Sequence, residues 1–167
     1  VSKFNPGLVT AQMRRIEDNA YYKEFLELSR SETGQIVAKN SNRIPISEFP
    51  ISPRTEHKEG VLVVWERPNK DAQFGHYYAS IDPVAEGKTT TSDSLCSIYV
   101  YKTAQEITKH KADGSIESSI ERDKIVAAWC GRFDDLNKTH ERLEMIIEWY
   151  NAWTIVENNI SLFIQYM

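Results

Sequence analysis

The sequence predicts an α/β fold: a mixed sheet, three of its strands an antiparallel meander and one parallel, with flanking helices. Three observations lead there. Residues 61–65, 76–82, 95–101 and 124–132 are runs rich in β-branched and aromatic residues, separated by turn-forming ones, and the last three suit antiparallel neighbours. Leu136, His140, Leu143, Ile147 and Tyr150 then recur at helical spacing and mark an amphipathic helix. A further apolar run, residues 153–156, follows that helix. A helix that crosses back to the sheet delivers a strand parallel to an earlier one.

Taken in order, residues 1–30 read as helical after Pro6, with Thr10 as a cap and Leu8, Met13, Ile16, Phe25 and Leu26 roughly on one face. Residues 31–58 hold three prolines and several serines without periodicity, the pattern of a linker or surface strap. The compact domain is therefore placed at 59–167. Within it, 69–75 is a loop. The strand 76–82 stops at Pro83, and its alternation puts Tyr78, Ser80 and Asp82 on one face and Tyr77, Ala79 and Ile81 on the other. Residues 84–92 form a polar loop, and a turn falls at Asp113-Gly114. Asp134 or Asp135 suits the positive end of the helix dipole. Residues 153–156 have the composition of a buried strand, ending at Glu157, Asn158 and Asn159. Ile160, Phe163, Ile164 and Met167 then repeat at helical spacing. The four tryptophans are assigned to the core.

Composition excludes several classes. The 167 residues are 41% hydrophobic and 26% charged, as in ordinary globular chains. No apolar run approaches the roughly 20 residues of a membrane helix, and no signal peptide is visible. A net charge of −4 leaves nucleic-acid contact to local patches. Cys96 and Cys130 lie in strand-like runs and read as small buried hydrophobes in a reducing compartment. The four histidines lack zinc-ligand spacing. The first residue is Val, which suggests a fragment or a processed chain.

The chemistry turns on topology. If the strand 153–157 lies parallel to 76–82, Asp82 and Glu157 sit side by side at the carboxyl ends of their strands, where open α/β sheets present functional groups. Two adjacent carboxylates repel unless a cation lies between them, and Mg²⁺ suits oxygen ligands. Two such ions can activate water and stabilise the leaving oxygen of a phosphodiester. The competing reading has one acid capping a helix and the other facing solvent. Gly87-Lys88-Thr89 imitates the end of a phosphate-binding loop, but the motif requires Gly where Asp82 stands. Pro83 likewise removes a backbone donor that the phosphate loop of an actin-like ATPase would use.

Several segments together resemble the nuclease domain of large terminase subunits, the packaging motors of tailed bacteriophages. They are Val61-Leu-Val-Val-Trp-Glu-Arg-Pro68, Tyr78-Ala-Ser-Ile-Asp-Pro-Val-Ala-Glu-Gly87, Asp93-Ser94 opening an apolar strand, Val126 to Asp134, Glu148-Trp-Tyr-Asn151 and Ile155-Val-Glu-Asn-Asn159. The resemblance covers about residues 60–167. It implies a ribonuclease H-like fold in which Asp82 and Glu157 bind two Mg²⁺ or Mn²⁺ ions that cut double-stranded DNA. Asp93 would be an auxiliary metal ligand and Glu86 a weaker candidate. Ser94 stands where the family has an aromatic residue, and 88–92 is expanded. Lys88, Arg132 and Lys138 are candidate DNA contacts.

By the same resemblance, residues 1–58 would lead from an ATPase motor domain. The nuclease domain would be incomplete, its third acid lying beyond residue 167, so that this fragment could be inactive. The implied setting is the cytoplasm of a bacterial host, and the implied partners are the small terminase subunit and the portal or procapsid. The alternatives are a non-catalytic DNA- or portal-binding module from a prophage, a resolvase and an actin-like ATPase.

Overall fold

The computed structural model describes residues 23–46, 58–84 and 94–156. Strands β1 (Glu24–Arg30), β2 (Ile36–Asn40), β3 (Leu62–Val64), β4 (Tyr77–Asp82), β5 (Cys96–Lys102), β8 (Lys124–Gly131) and β9 (Trp153–Val156) form one mixed sheet in the order β2-β1-β3-β8-β5-β4-β9. Strands β6 (Gln105–His110) and β7 (Ile116–Glu121) form a separate two-stranded arm. The helix α1 (Leu136–Tyr150) links β8 to β9.

The meander is as expected: β4 pairs antiparallel with β5, and β5 with β8. The crossover is too. α1 returns the chain to the far side of β4, and β9 pairs parallel with it, Tyr78 opposite Trp153 through Ile81 opposite Val156. Asp135 caps α1 by accepting from the Asn137 N–H at 2.9 Å. Asn151 ends it in the left-handed region, φ 49°, and its N–H reaches back to the Glu148 carbonyl.

The N-terminal expectation needs correcting. Residues 24–30 are a strand, because Leu26 and Leu28 point inward with period two while Phe25 faces away. The linker expected over 31–58 contains β2, which pairs with β1 from Leu26–Asn40 to Arg30–Ile36. The sheet therefore crosses the boundary placed near residue 59. β3 joins β1 on one side and β8 on the other, the latter through two residue pairs, Val63–Ala128 and Val64–Ala127.

One face of the sheet is the core. Leu26, Leu62, Val64, Tyr77, Ala79, Ile81, Ile98, Val100 and Trp129 pack there against Leu143, Ile146 and Tyr150 of α1. Tyr150 stands edge-on to Tyr77 at 5.2 Å and donates its hydroxyl to the Glu66 carbonyl at 2.7 Å. Arg30 pairs with Glu148 at 2.7 Å and Arg142 with Glu27 at 2.9 Å, tying α1 to β1. The other face carries Tyr78, Tyr99, Tyr101, Ile125, Trp153 and Ile155, each wholly or partly exposed. β9 was expected to be buried. It is the last strand of the sheet, and Trp153 and Ile155 are 50% and 63% exposed. Its apolar composition does not bury it, because no further described strand lies beyond. Trp129 is in the core as expected, whereas Trp153 is not.

Candidate active-site rim

Pro83 follows Asp82 and cannot donate to a ladder, so β4 stops with Asp82 exposed at its carboxyl end. The β4–β9 register brings Val156 opposite Ile81, one residue short of Asp82. Glu157 is next in sequence but lies outside the described residues, as do Glu86, Lys88 and Asp93. The parallel pairing on which the two-carboxylate argument rests is thus present as far as Val156.

The register also names neighbours that the sequence did not suggest. Asp82 pairs with Ser97 on β5, and Ser97 with Cys130 on β8, which puts the three in a row on the open face. Burial pushes the Cys130 thiol up, and the Asp82 charge adds to that. Burial raises Cys96 to about 12, again with help from Asp82 and then Cys130, against a backbone hydrogen bond at Val84. Both are free cysteines, and the raised pKa values favour their thiol form at neutral pH. Their reading as small hydrophobes holds for Cys96, which is buried, and in part for half-buried Cys130. The row follows from the register of three strands, β4, β5 and β8, and no motif encodes it.

The start of α1 reaches the same rim, because Gly131 at the end of β8 pairs with Cys96. Two of the expected DNA contacts are described there. Lys138 is exposed in the first turn of α1. Arg132 is 3% exposed, so its side chain does not lie at the surface where a phosphate would meet it. Its neighbourhood is tight: the Arg132 N–H donates to the Lys58 carbonyl at 2.6 Å, and Trp129 Nε1 donates to the Glu59 carbonyl at 3.0 Å.

For a hard divalent cation, the Asp82 carboxylate at the end of β4 is a suitable ligand. Among the described residues there is no group of three or more His, Cys, Asp or Glu side chains able to hold a metal ion. The remaining expected ligands, Glu157 and Asp93, are outside those residues. No helix among the described residues is long and apolar enough to cross a membrane.

At the opposite rim, Lys102 and Lys124 alternate with Glu66 and Glu121 in a closed ring of ion pairs, 2.7–3.0 Å apart. Burial pulls the two lysines down, but hydrogen bonds to both carboxylates outweigh it and their pKa values rise. Both carboxylates are held below their usual range, Glu66 against its own burial. Through Glu121 the ring fastens the β6–β7 arm to the sheet. Comparison of the chain with protein-family models, with curated proteins and with solved structures gives no match.

Proposed function

We propose that this chain is the metal-dependent nuclease part of a phage DNA-packaging terminase, with a ribonuclease H-like sheet. The observation that carries the reading is the parallel β4–β9 ladder, which runs to Ile81–Val156 and leaves Asp82 exposed at the next position. The strand order β8-β5-β4-β9, antiparallel except for its last pair, also supports it. The substrate is double-stranded DNA. Mg²⁺ or Mn²⁺ ions bound at the rim would activate water and neutralise charge on the scissile phosphate. Asp82 contributes a hard oxygen ligand, and Glu157 is the second. Lys138, exposed at the same rim, is suited to a backbone phosphate.

The test is Mn²⁺ binding followed by electron paramagnetic resonance, together with nicking of supercoiled plasmid. The chain should bind Mn²⁺, and Asp82→Asn and Glu157→Gln should each weaken binding at least tenfold while leaving the far-ultraviolet circular dichroism unchanged. Equal Mn²⁺ affinity in all three proteins would sink the reading. DNA binding without Mn²⁺ dependence would instead mark a non-catalytic DNA-binding module.

A further inference from the structure

Strands β6 and β7 form an arm with no core of its own. Of their twelve residues ten are exposed, and only Ile107 and Glu121 are half-buried. Among the described residues no other strand pairs with either. A lone two-stranded hairpin is marginally stable in water. This one is fixed at both ends instead. The ion-pair ring through Glu121 holds its base. At its tip the Gly114 N–H donates to the Lys111 carbonyl at 3.0 Å, the Lys111 N–H to the Ser115 carbonyl at 2.9 Å, and the Ser115 N–H to the Asp113 carboxylate at 2.9 Å. An arm held in shape while burying so little presents its edges as templates for another strand.

The two edges differ. Every second pair of an antiparallel ladder exchanges hydrogen bonds. The Lys111–Ser115 bond sets the phase: Lys109–Glu117, Ile107–Ser119 and Gln105–Glu121 are the bonded pairs, so the backbone groups of Ile116, Ser118 and Ile120 point away from β6. On β6 the outward groups are those of Glu106, Thr108 and His110. That strand carries Lys109, a residue type that discourages edge pairing, and its base is met by His76, whose ring touches the Gln105 amide. The β7 edge carries Ile116 and Ile120, 63% and 75% exposed, with no lysine or arginine between them.

The β7 edge is also complementary to itself. Laid antiparallel on a second copy and centred on Ser118, it places Ile116 opposite the partner's Ile120 and Ile120 opposite the partner's Ile116. The three outward residues are then the ones that meet, and each such pair exchanges backbone hydrogen bonds. Ile116, Ser118 and Ile120 share one face of the arm, so the apolar contacts fall on one side. On the other side Glu117 falls opposite the partner's Ser119 rather than a second carboxylate, and Lys111 already pairs with Glu117 at 3.3 Å. Residues 105–121 hold two lysines against four carboxylates, which disfavours DNA as the occupant.

We propose that β7 is a homodimerisation edge: two copies of this chain join through β7 in antiparallel register about Ser118, turning two hairpins into a four-stranded sheet. The contact is isologous, so every substitution acts twice. It is small beside the roughly 1,600 Å² of a standard interface, so the dimer belongs to the weak class, with a dissociation constant on the order of 100 µM. It does not depend on metal or DNA chemistry at the Asp82 rim.

Sedimentation equilibrium between about 10 µM and about 1 mM tests it. The weight-average mass should rise from that of one chain toward that of two, and exchange of the Ile116, Ser118 and Ile120 amide protons should slow as concentration rises. Ser118→Pro removes an outward N–H and spares the β6–β7 ladder, so it should weaken the dimer about tenfold or more. Ile120→Ala, at an exposed position, loses both isoleucine pairs and should weaken it about tenfold. Thr108→Pro, the equivalent change on the β6 edge, should leave it unchanged. The proposal is overturned if the chain stays monomeric throughout, if either Ser118→Pro or Ile120→Ala dimerises as tightly as the parent chain, or if Thr108→Pro abolishes dimerisation. A monomer whose Ile116, Ser118 and Ile120 amides are already protected would overturn it too, another segment of the same chain then covering the edge.

Discussion

Gly131→Ala tests how closely the segment 58–60 is laid against the end of β8. A Cβ at Gly131 would sit 2.5 Å from the Glu59 carbonyl oxygen, 2.7 Å from its carbon and 2.8 Å from Trp129 Cζ2. Ordinary contact begins at 3.4 Å, so the segment must retreat by about 0.9 Å. A shift of that size breaks or strains the Trp129 Nε1 bond to Glu59, now 3.0 Å, and the Arg132 N–H bond to Lys58, now 2.6 Å. Overpacking costs about 1–3 kcal/mol, and an orphaned buried donor about 1–3 kcal/mol more. The expected loss is therefore about 2–6 kcal/mol, a large part of a stability of about 5–15 kcal/mol. Gly114→Ala is the control: a Cβ there meets nothing within 4 Å, and only φ +83° opposes it. Its cost should be about 1 kcal/mol. Urea unfolding followed by circular dichroism measures both. A Gly131→Ala stability within about 0.5 kcal/mol of the parent chain would refute the packing argument.

Three further outcomes follow from the polar groups. His76 and His140 both have pKa values lowered by burial, so the unfolded chain takes up their protons more readily. Their contribution is complete above about pH 6.5 and is lost as pH falls below it; a flat urea midpoint between pH 7.5 and 5.5 would contradict this. Glu66→Gln removes two pairs from the ring with Lys102 and Lys124, and should cost about 1–2 kcal/mol in low salt and less in high salt, read from urea midpoints. Tyr150→Phe should cost about 1 kcal/mol in the same assay, through the lost bond to the Glu66 carbonyl.

The central part of the fold was legible because burial writes itself into composition. Strand β4 alternates cleanly between Tyr77, Ala79, Ile81 and Tyr78, Ser80, Asp82, and α1 keeps Leu143 and Tyr150 inward. Elements outside that core left weaker signals. β1 has adjacent Phe25 and Leu26, which a helical stripe explains as well as a strand does. β6 and β7 are exposed on both faces, so no hydrophobic period marks them, and only the Asp113-Gly114 turn between them could be read. At the candidate site, Asp82 was legible from its strand end. Its neighbours Ser97 and Cys130 were not, because cross-strand register depends on loop lengths and on the irregularity between Val100 and Tyr101.

The short ladder between β3 and β8 divides the sheet into two leaves, β2-β1-β3 and β8-β5-β4-β9, joined by two residue pairs. Hydrogen bonds from Trp65 and Glu66 to the Val126 carbonyl lengthen the seam slightly. The helix braces it like a batten, gripping β1 through Arg30 and Arg142 while its apolar side rests on the larger leaf. Amide protons of β3 should therefore exchange faster than those of β5, as the seam parts before either leaf unravels.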